Sequence, residues 1–104
     1  MVEDAVVREA TRRLVEEMKP SRVYLFGSRA RDDAASESDY DFLVVMPASS
    51  ERHLSRTQRA YRSLRGMDIA KDIVVTTSDR FERMSSVASS LEHEVASEGL
   101  LLYG

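Results

Sequence analysis

Two short apolar runs flank a polar, acidic stretch, and the residues at the two joins restrict the fold more than any other feature of the chain. The first run, Val23-Tyr24-Leu25-Phe26, ends at Gly27-Ser28, and the second, Phe42-Leu43-Val44-Val45-Met46, is entered through Asp39-Tyr40-Asp41. Runs this short, rich in β-branched and aromatic residues and stopped by glycine, are expected to be buried strands closed by tight turns. Gly27 would let backbone approach a ligand closely. Ser28 adds a hydroxyl and a backbone N–H, and a helix beginning over Arg29 to Asp32 would aim further N–H groups at the same spot, which suits a phosphate. On a strand the side-chain period of two puts Asp39 and Asp41 on one face. Two carboxylates so placed repel each other unless a cation lies between them.

Hard oxygen ligands favour Mg²⁺, which keeps several waters and shares its shell with substrate phosphates. A third carboxylate is available at the next strand-like run, Ile73-Val74-Val75-Thr76-Thr77, entered directly from Asp72. Asp68 competes for that role, but Asp72 is preferred because its strand follows at once. Three carboxylates can hold two metal ions about 3.5–4 Å apart, an arrangement that stabilises the attacking and leaving oxygens of an in-line phosphoryl or nucleotidyl displacement.

With Gly27-Ser28, the spacing to Asp39-x-Asp41 and the later Asp72 in view, the chain resembles the minimal nucleotidyltransferases of the DNA polymerase β superfamily. Its resemblance is greatest to the small members that act as antitoxins beside HEPN-domain toxins, and it spans nearly the whole chain. It includes Ala30-Arg31, Ser38 and a C-terminal segment ending in Glu98-Gly99-Leu100-Leu101-Leu102-Tyr103. The resemblance implies an α/β fold of polymerase β-like palm type, a small mixed sheet packed by helices on one side. It implies ATP as substrate, bound by Gly27, Ser28, Arg29 and Arg31, and Asp39, Asp41 and Asp72 as catalytic and metal-holding residues with Mg²⁺, two ions when nucleotide is bound. The expected reaction transfers AMP to a hydroxyl, a tyrosine of the HEPN toxin, as in type VII-like toxin–antitoxin pairs. Two alternatives stay open: a catalytically weak antitoxin that neutralises its partner by binding, and a small-molecule nucleotidyltransferase. The chain departs from the family pattern at Asp32 and Asp33, acids that would repel a triphosphate if they faced it, and at Ala70-Lys71 before Asp72.

Bulk properties set outer limits. The 104 residues, 42% of them apolar, suit one domain spanning residues 1–104 with a modest core. No apolar run reaches the ~20 residues needed to cross a bilayer, so a cytoplasmic protein without membrane contact is expected. The absence of cysteine rules out a disulfide framework or thiolate metal site and fits a reducing compartment. A net charge of −3 argues against general nucleic-acid binding. Neither GxGxxG nor the Walker lysine motif occurs.

That average hides a basic segment. Between Arg52 and Lys71 six cations face one acid, giving +5 against −8 for the remainder. Leu54, Tyr61 and Leu64 fall at helical spacing there, with Arg52, Arg56 and Arg59 as a stripe on another face. The stripe is either a solvated helix face or a contact surface for an acidic partner or the triphosphate. A first helix is expected over Asp4 to Lys19, turning Val7, Ala10, Leu14 and Met18 to one side and halted by Pro20. A single C-terminal helix is expected to carry Phe81, Met84, Ala88, Leu91 and Val95 as a stripe for core or interface, so either a homo-oligomer or a hetero-oligomer is open. Leu100 to Tyr103 suggests an added edge strand or a docked tail. His53 and His93 are expected to be ordinary surface or boundary residues.

Overall fold

The computed structural model describes residues 4–31, 39–48 and 51–104. Asp32 and Asp33, most of the acidic loop after Arg31, and Ser49-Ser50 lie outside them.

Helix α1, Ala5–Met18, begins where the Asp4 carboxylate accepts the N–H of Val6 at 2.8 Å and that of Val7 at 3.4 Å, satisfying donors that the first turn leaves unpaired. It ends at Lys19, which takes the left-handed conformation at φ 50° ahead of Pro20. Its buried residues are Val7, Ala10, Leu14 and Met18, the stripe the spacing predicts. Strands β1 (Arg22–Phe26), β2 (Tyr40–Met46), β3 (Lys71–Thr77) and β4 (Leu100–Tyr103) form one sheet in the order β3-β2-β1-β4. β1 is antiparallel to β2 and to β4, while β2 and β3 run parallel. The chain's last apolar residues are therefore an edge strand.

Apolar residues occupy both sides of β1 and β2 because both faces are covered, which is why these strands are continuous hydrophobic runs and not alternating ones. On one face Phe42, Val44, Met46, Val23 and Leu25 pack under α1 and under Ala60 and Leu64 of the helix α2 segment, His53–Ser63 and the turn after it. On the other, Tyr24, Phe26, Leu43 and Val45 meet Phe81 of α3 (Ser78–Met84) and Val95 of α4 (Leu91–Glu98). The Tyr24 and Phe81 rings stack with centroids 5.4 Å apart. The expected one-sided helix layer is thus the larger of two: α3 and α4 add a thinner layer on the opposite face.

The expected C-terminal helix is two helices, and serine chemistry explains the break. Ser90 Oγ donates to Met84 O at 2.5 Å and accepts the His93 N–H at 3.0 Å, capping α4 while closing α3's end onto it. His93 Nδ1 lies 2.8 Å from Ser85 O. Serine side chains compete well with helical backbone bonds and favour such caps. Of the expected stripe, Phe81 and Val95 are core, whereas Ala88 is exposed in the connection. Gly99 then permits α4 to meet β1: a Cβ there would stand 2.6 Å from Val95 O and 3.3 Å from Leu25 O.

The basic segment also differs from its expected packing. Leu54 is 61% exposed, and the buried α2 positions are Ala60 and Arg56. Arg59 makes a two-pronged contact with Glu51, at 2.9 and 2.7 Å, and reaches Glu17 O of α1 at 3.1 Å. The arginine stripe is in part a clamp between α2 and its surroundings.

These placements predict unequal costs for two apolar truncations. Phe42→Ala should lower the unfolding free energy in urea by about 3–5 kcal/mol, since Phe42 is fully buried. Leu54→Ala should stay within roughly 0.5 kcal/mol of the parent.

Candidate active site

Parallel pairing of β2 with β3 sets Asp41 directly beside Asp72. Adjacent strands are about 4.8 Å apart, and residues paired across a ladder project from the same face. That face is the one bearing Leu43 and Val45, towards α4. Asp39, two residues earlier and exposed just before β2, shares Asp41's parity. Asp68 stands in the exposed turn before β3 and pairs with neither strand neighbour. Asp39, Asp41 and Asp72 therefore converge at one end of the sheet.

Gly27 completes that end from β1. It takes φ +75°, and a Cβ on it would collide with the Asp41 carboxylate. The close approach that the sequence attributes to a ligand is made first by the chain's own aspartate. Gly27 O accepts the N–H of Ala30 at 3.2 Å and of Arg31 at 3.3 Å, forming one turn headed by Ser28. The expected helix over Arg29 to Asp32 is seen only as this turn, and its remainder falls outside the described residues.

The two expected nucleotide-binding arginines part company. The Arg29 guanidinium lies 3.8 Å above the Tyr40 ring, and Tyr40 packs on the α1 face with its hydroxyl 3.3 Å from Asp4 Oδ2. Arg29 thus stands across the sheet from the carboxylates, held by a cation–π contact. Arg31 reaches towards α4, 3.9 Å from Glu98.

Burial, Asp72, Asp39 and Glu94, in that order, push the Asp41 carboxyl above its usual range. Each favours a neutral carboxyl, and the last three do so because they add negative charge. A divalent cation would reverse the effect, so oxygen-only donors of uniform negative sign fit Mg²⁺ or a similar hard ion. Among the described residues no three acids are already drawn to metal-holding distance, so a cation would complete its shell with water and substrate oxygens. Two participants were not legible as such in the sequence. Glu94 comes from the first turn of α4. Tyr61, whose spacing marks it as an apolar-face residue of α2, donates its hydroxyl to Asp72 Oδ1 at 3.2 Å and accepts the Ile73 N–H at 3.0 Å. It orients the Asp72 carboxylate.

Residues 7–98 match the nucleotidyltransferase domain family, and the chain belongs to it. Its class chemistry is nucleotidyl transfer. A search of well-characterised sequences finds no significant match. Among solved structures, a Sulfolobus solfataricus protein assigned as a nucleotidyltransferase superposes with TM-score 0.65 at 23% identity, over 92% of this chain and 75% of that one. A toxin–antitoxin complex with AMP-PNP gives TM-score 0.65 at 23% identity over 93% and 73%. A mutant of the toxin–antitoxin pair MntA–HpeT gives 0.63 at 21% identity, again over 93% and 73%. At these identities the likeness establishes a shared fold, that of a polymerase β-like nucleotidyltransferase. No helix among the described residues is long and apolar enough to cross a membrane.

The raised Asp41 pKa has a definite sign for stability. Because the folded value lies above the unfolded one, Asp41's contribution is most favourable below the ordinary aspartate range, about pH 3.9, and is lost as pH rises through the raised value. Asp41→Asn should therefore melt a few degrees higher than the parent at pH 7 in divalent-free buffer. That gap should close as pH falls towards 4, and adding Mg²⁺ at pH 7 should raise the parent's melting temperature but not the variant's. Scanning calorimetry across that pH range checks all three.

Proposed function

We propose that this protein transfers AMP from ATP to a hydroxyl of a partner toxin, a tyrosine of a HEPN-type toxin, and so acts as an enzymatic antitoxin with Asp39, Asp41 and Asp72 at its centre. The observation that carries this reading is the register pairing Asp41 with Asp72 while Gly27 closes on Asp41. Membership of the nucleotidyltransferase domain family supports the reaction class. The toxin–antitoxin complexes that share the fold, one of them holding AMP-PNP, support the setting.

In this mechanism Gly27 and Ser28 receive the β- and γ-phosphates at the turn, where the absence of a side chain on Gly27 allows backbone contact. Asp39 and Asp41 would hold Mg²⁺, which when bound neutralises phosphate charge and the mutual repulsion of the acids. Arg31, on the α4 side beside Glu98, would meet the triphosphate by exchanging that contact. The acceptor oxygen attacks the α-phosphorus in line, forming a new P–O bond as the bond to the bridging α–β oxygen breaks and pyrophosphate leaves. Its proton passes to Asp72, whose carboxylate is oriented by Tyr61. The partner supplies the acceptor surface, and the protein works in the cytoplasm as a single domain.

Intact-mass measurement of the partner after incubation with this protein, ATP and Mg²⁺ tests the reading. One or more adenylates should appear on the partner, none should appear with the Asp39→Asn, Asp41→Asn double variant, and Gly27→Ala should slow transfer by roughly 10²-fold. An unmodified partner in a complex that still neutralises the toxin would show that binding alone is the mechanism. Activity on a small hydroxylated compound with no partner present would move the acceptor away from protein.

A further inference from the structure

The sheet ends at β3, and no strand lies beyond it among the described residues. Two hydrogen bonds fix which of its backbone groups face outward. The Tyr40 N–H donates to Ala70 O, so the even-numbered positions approaching and within β3 face β2. The Ile73 N–H donates to the Tyr61 hydroxyl on the other side. Strand alternation then turns the N–H and C=O of Val75 and the N–H of Thr77 to the open edge, the Thr77 C=O being taken by the first turn of α3, which Thr77 caps.

At Ile73 that edge is closed by Tyr61. Beyond it, residues 74–77 form the floor of a cavity of about 620 Å³, walled by His53 and Arg56 of α2 on one side and by Arg80 and Glu92 of α3 and α4 on the other. This is the size of a ligand pocket, and it is separate from the carboxylate site at the strand's beginning.

Arg56 makes the cavity more than a surface dent. The residue is only 8% exposed, and its Nη1 donates to Glu51 O at 2.6 Å. Its Nε is buried with no hydrogen-bond partner among the described residues. A buried charged donor left unsatisfied is costly, and most native structures avoid it. Charge points the same way. Glu92, the carboxylate among the described lining residues, is already bonded to Arg80 Nε at 3.1 Å and to Thr76 Oγ1 at 3.4 Å, so with Arg56 and Arg80 against one acid the lining is net positive.

We propose that this groove is a docking site for an extended, acidic segment of a partner protein, which adds as a short strand to the β3 edge and places a carboxylate against Arg56 and Arg80. An open strand edge supplies main-chain donors and acceptors at alternate residues, and flanking pockets supply side-chain selectivity, as in other strand-addition complexes. The length of contact, Val75 to Thr77, is about 10 Å at 3.3 Å per residue. The site stands whether or not the carboxylates transfer a nucleotide, because it uses none of Asp39, Asp41 or Asp72.

The test uses the whole chain and a fluorescein-labelled peptide of alternating valine and glutamate, with a valine–lysine peptide and a single-stranded oligonucleotide as comparisons. Anisotropy should show saturable binding of the acidic peptide at least about tenfold tighter than of the other two, and amide exchange at Val75 and Thr77 should slow in its presence. Arg56→Met should weaken binding by about tenfold or more. Arg80→Gln, at a side chain 54% exposed and with an amide that can still donate to Glu92, should also weaken it about tenfold, circular dichroism showing the variant folded. Binding of the acidic peptide no tighter than that of the lysine peptide, preference for the oligonucleotide, unchanged exchange at Val75 and Thr77, or affinity unaffected by Arg80→Gln would each overturn the proposal.

Discussion

Phe42 beside Ile73, Val44 beside Val75 and Val45 beside Thr76 lock β2 and β3 into one register, and that register forces Asp41 against Asp72. A slip of one residue would send Phe42 and Val44 to the face where Leu43 and Val45 belong, against α3 and α4 instead of α1 and α2. Each fully buried side chain of this kind contributes about 1.5–3 kcal/mol, whereas moving a carboxyl pKa by a whole unit corresponds to about 1.4 kcal/mol. The apolar strands therefore outweigh the repulsion at their ends. The site's electrostatic strain is imposed by the core and exists before any ligand arrives.

What that strain selects follows from the sign of every neighbour. Asp39, Asp72 and Glu94 all act to keep Asp41 neutral, and Arg29, the arginine closest in sequence to the Gly27 turn, is occupied by Tyr40 on the opposite face. A triphosphate approaching this end would meet an acidic surface, and a hard divalent ion, which oxygen donors alone can hold, would offset that repulsion. A side chain on Gly27 would collide with the Asp41 carboxylate, so turn and carboxylate are sterically one unit.

The parts of this arrangement legible in the sequence were those encoded by contiguous residues. β1, β2 and β3 are short apolar runs with clear stops, α1 has an uninterrupted stripe and a proline behind it, and Asp39-x-Asp41 and Asp72 sit at strand beginnings that place them by parity alone. Other features depend on partners distant in the chain. The spacing of Phe81, Met84, Ala88, Leu91 and Val95 satisfies a helical period across a gap that is not helical, because Ser90 caps one helix while holding the end of another. Leu54 has the periodicity of a core residue, yet Arg56 occupies the buried position, since its guanidinium meets the Glu51 carbonyl at the helix entrance. Tyr61 is ambiguous for the same reason: periodicity cannot distinguish a ring packed for its area from one packed for its hydroxyl.

Tyr61 also explains how an edge strand can carry one carboxylate of the candidate site. An unpaired edge invites pairing with any other chain, and uncontrolled pairing beside Asp72 would displace a carboxylate that must keep its orientation. By accepting the Ile73 N–H while donating to Asp72, the tyrosine withdraws from the edge an outward amide adjacent to that carboxylate. The remaining outward groups, at Val75 and Thr77, lie farther along between two walls of side chains. On the two proposals made above, a single hydroxyl separates the two parts of this strand: Asp72 at its start belongs to the carboxylate cluster, and Val75 and Thr77 at its end face the groove.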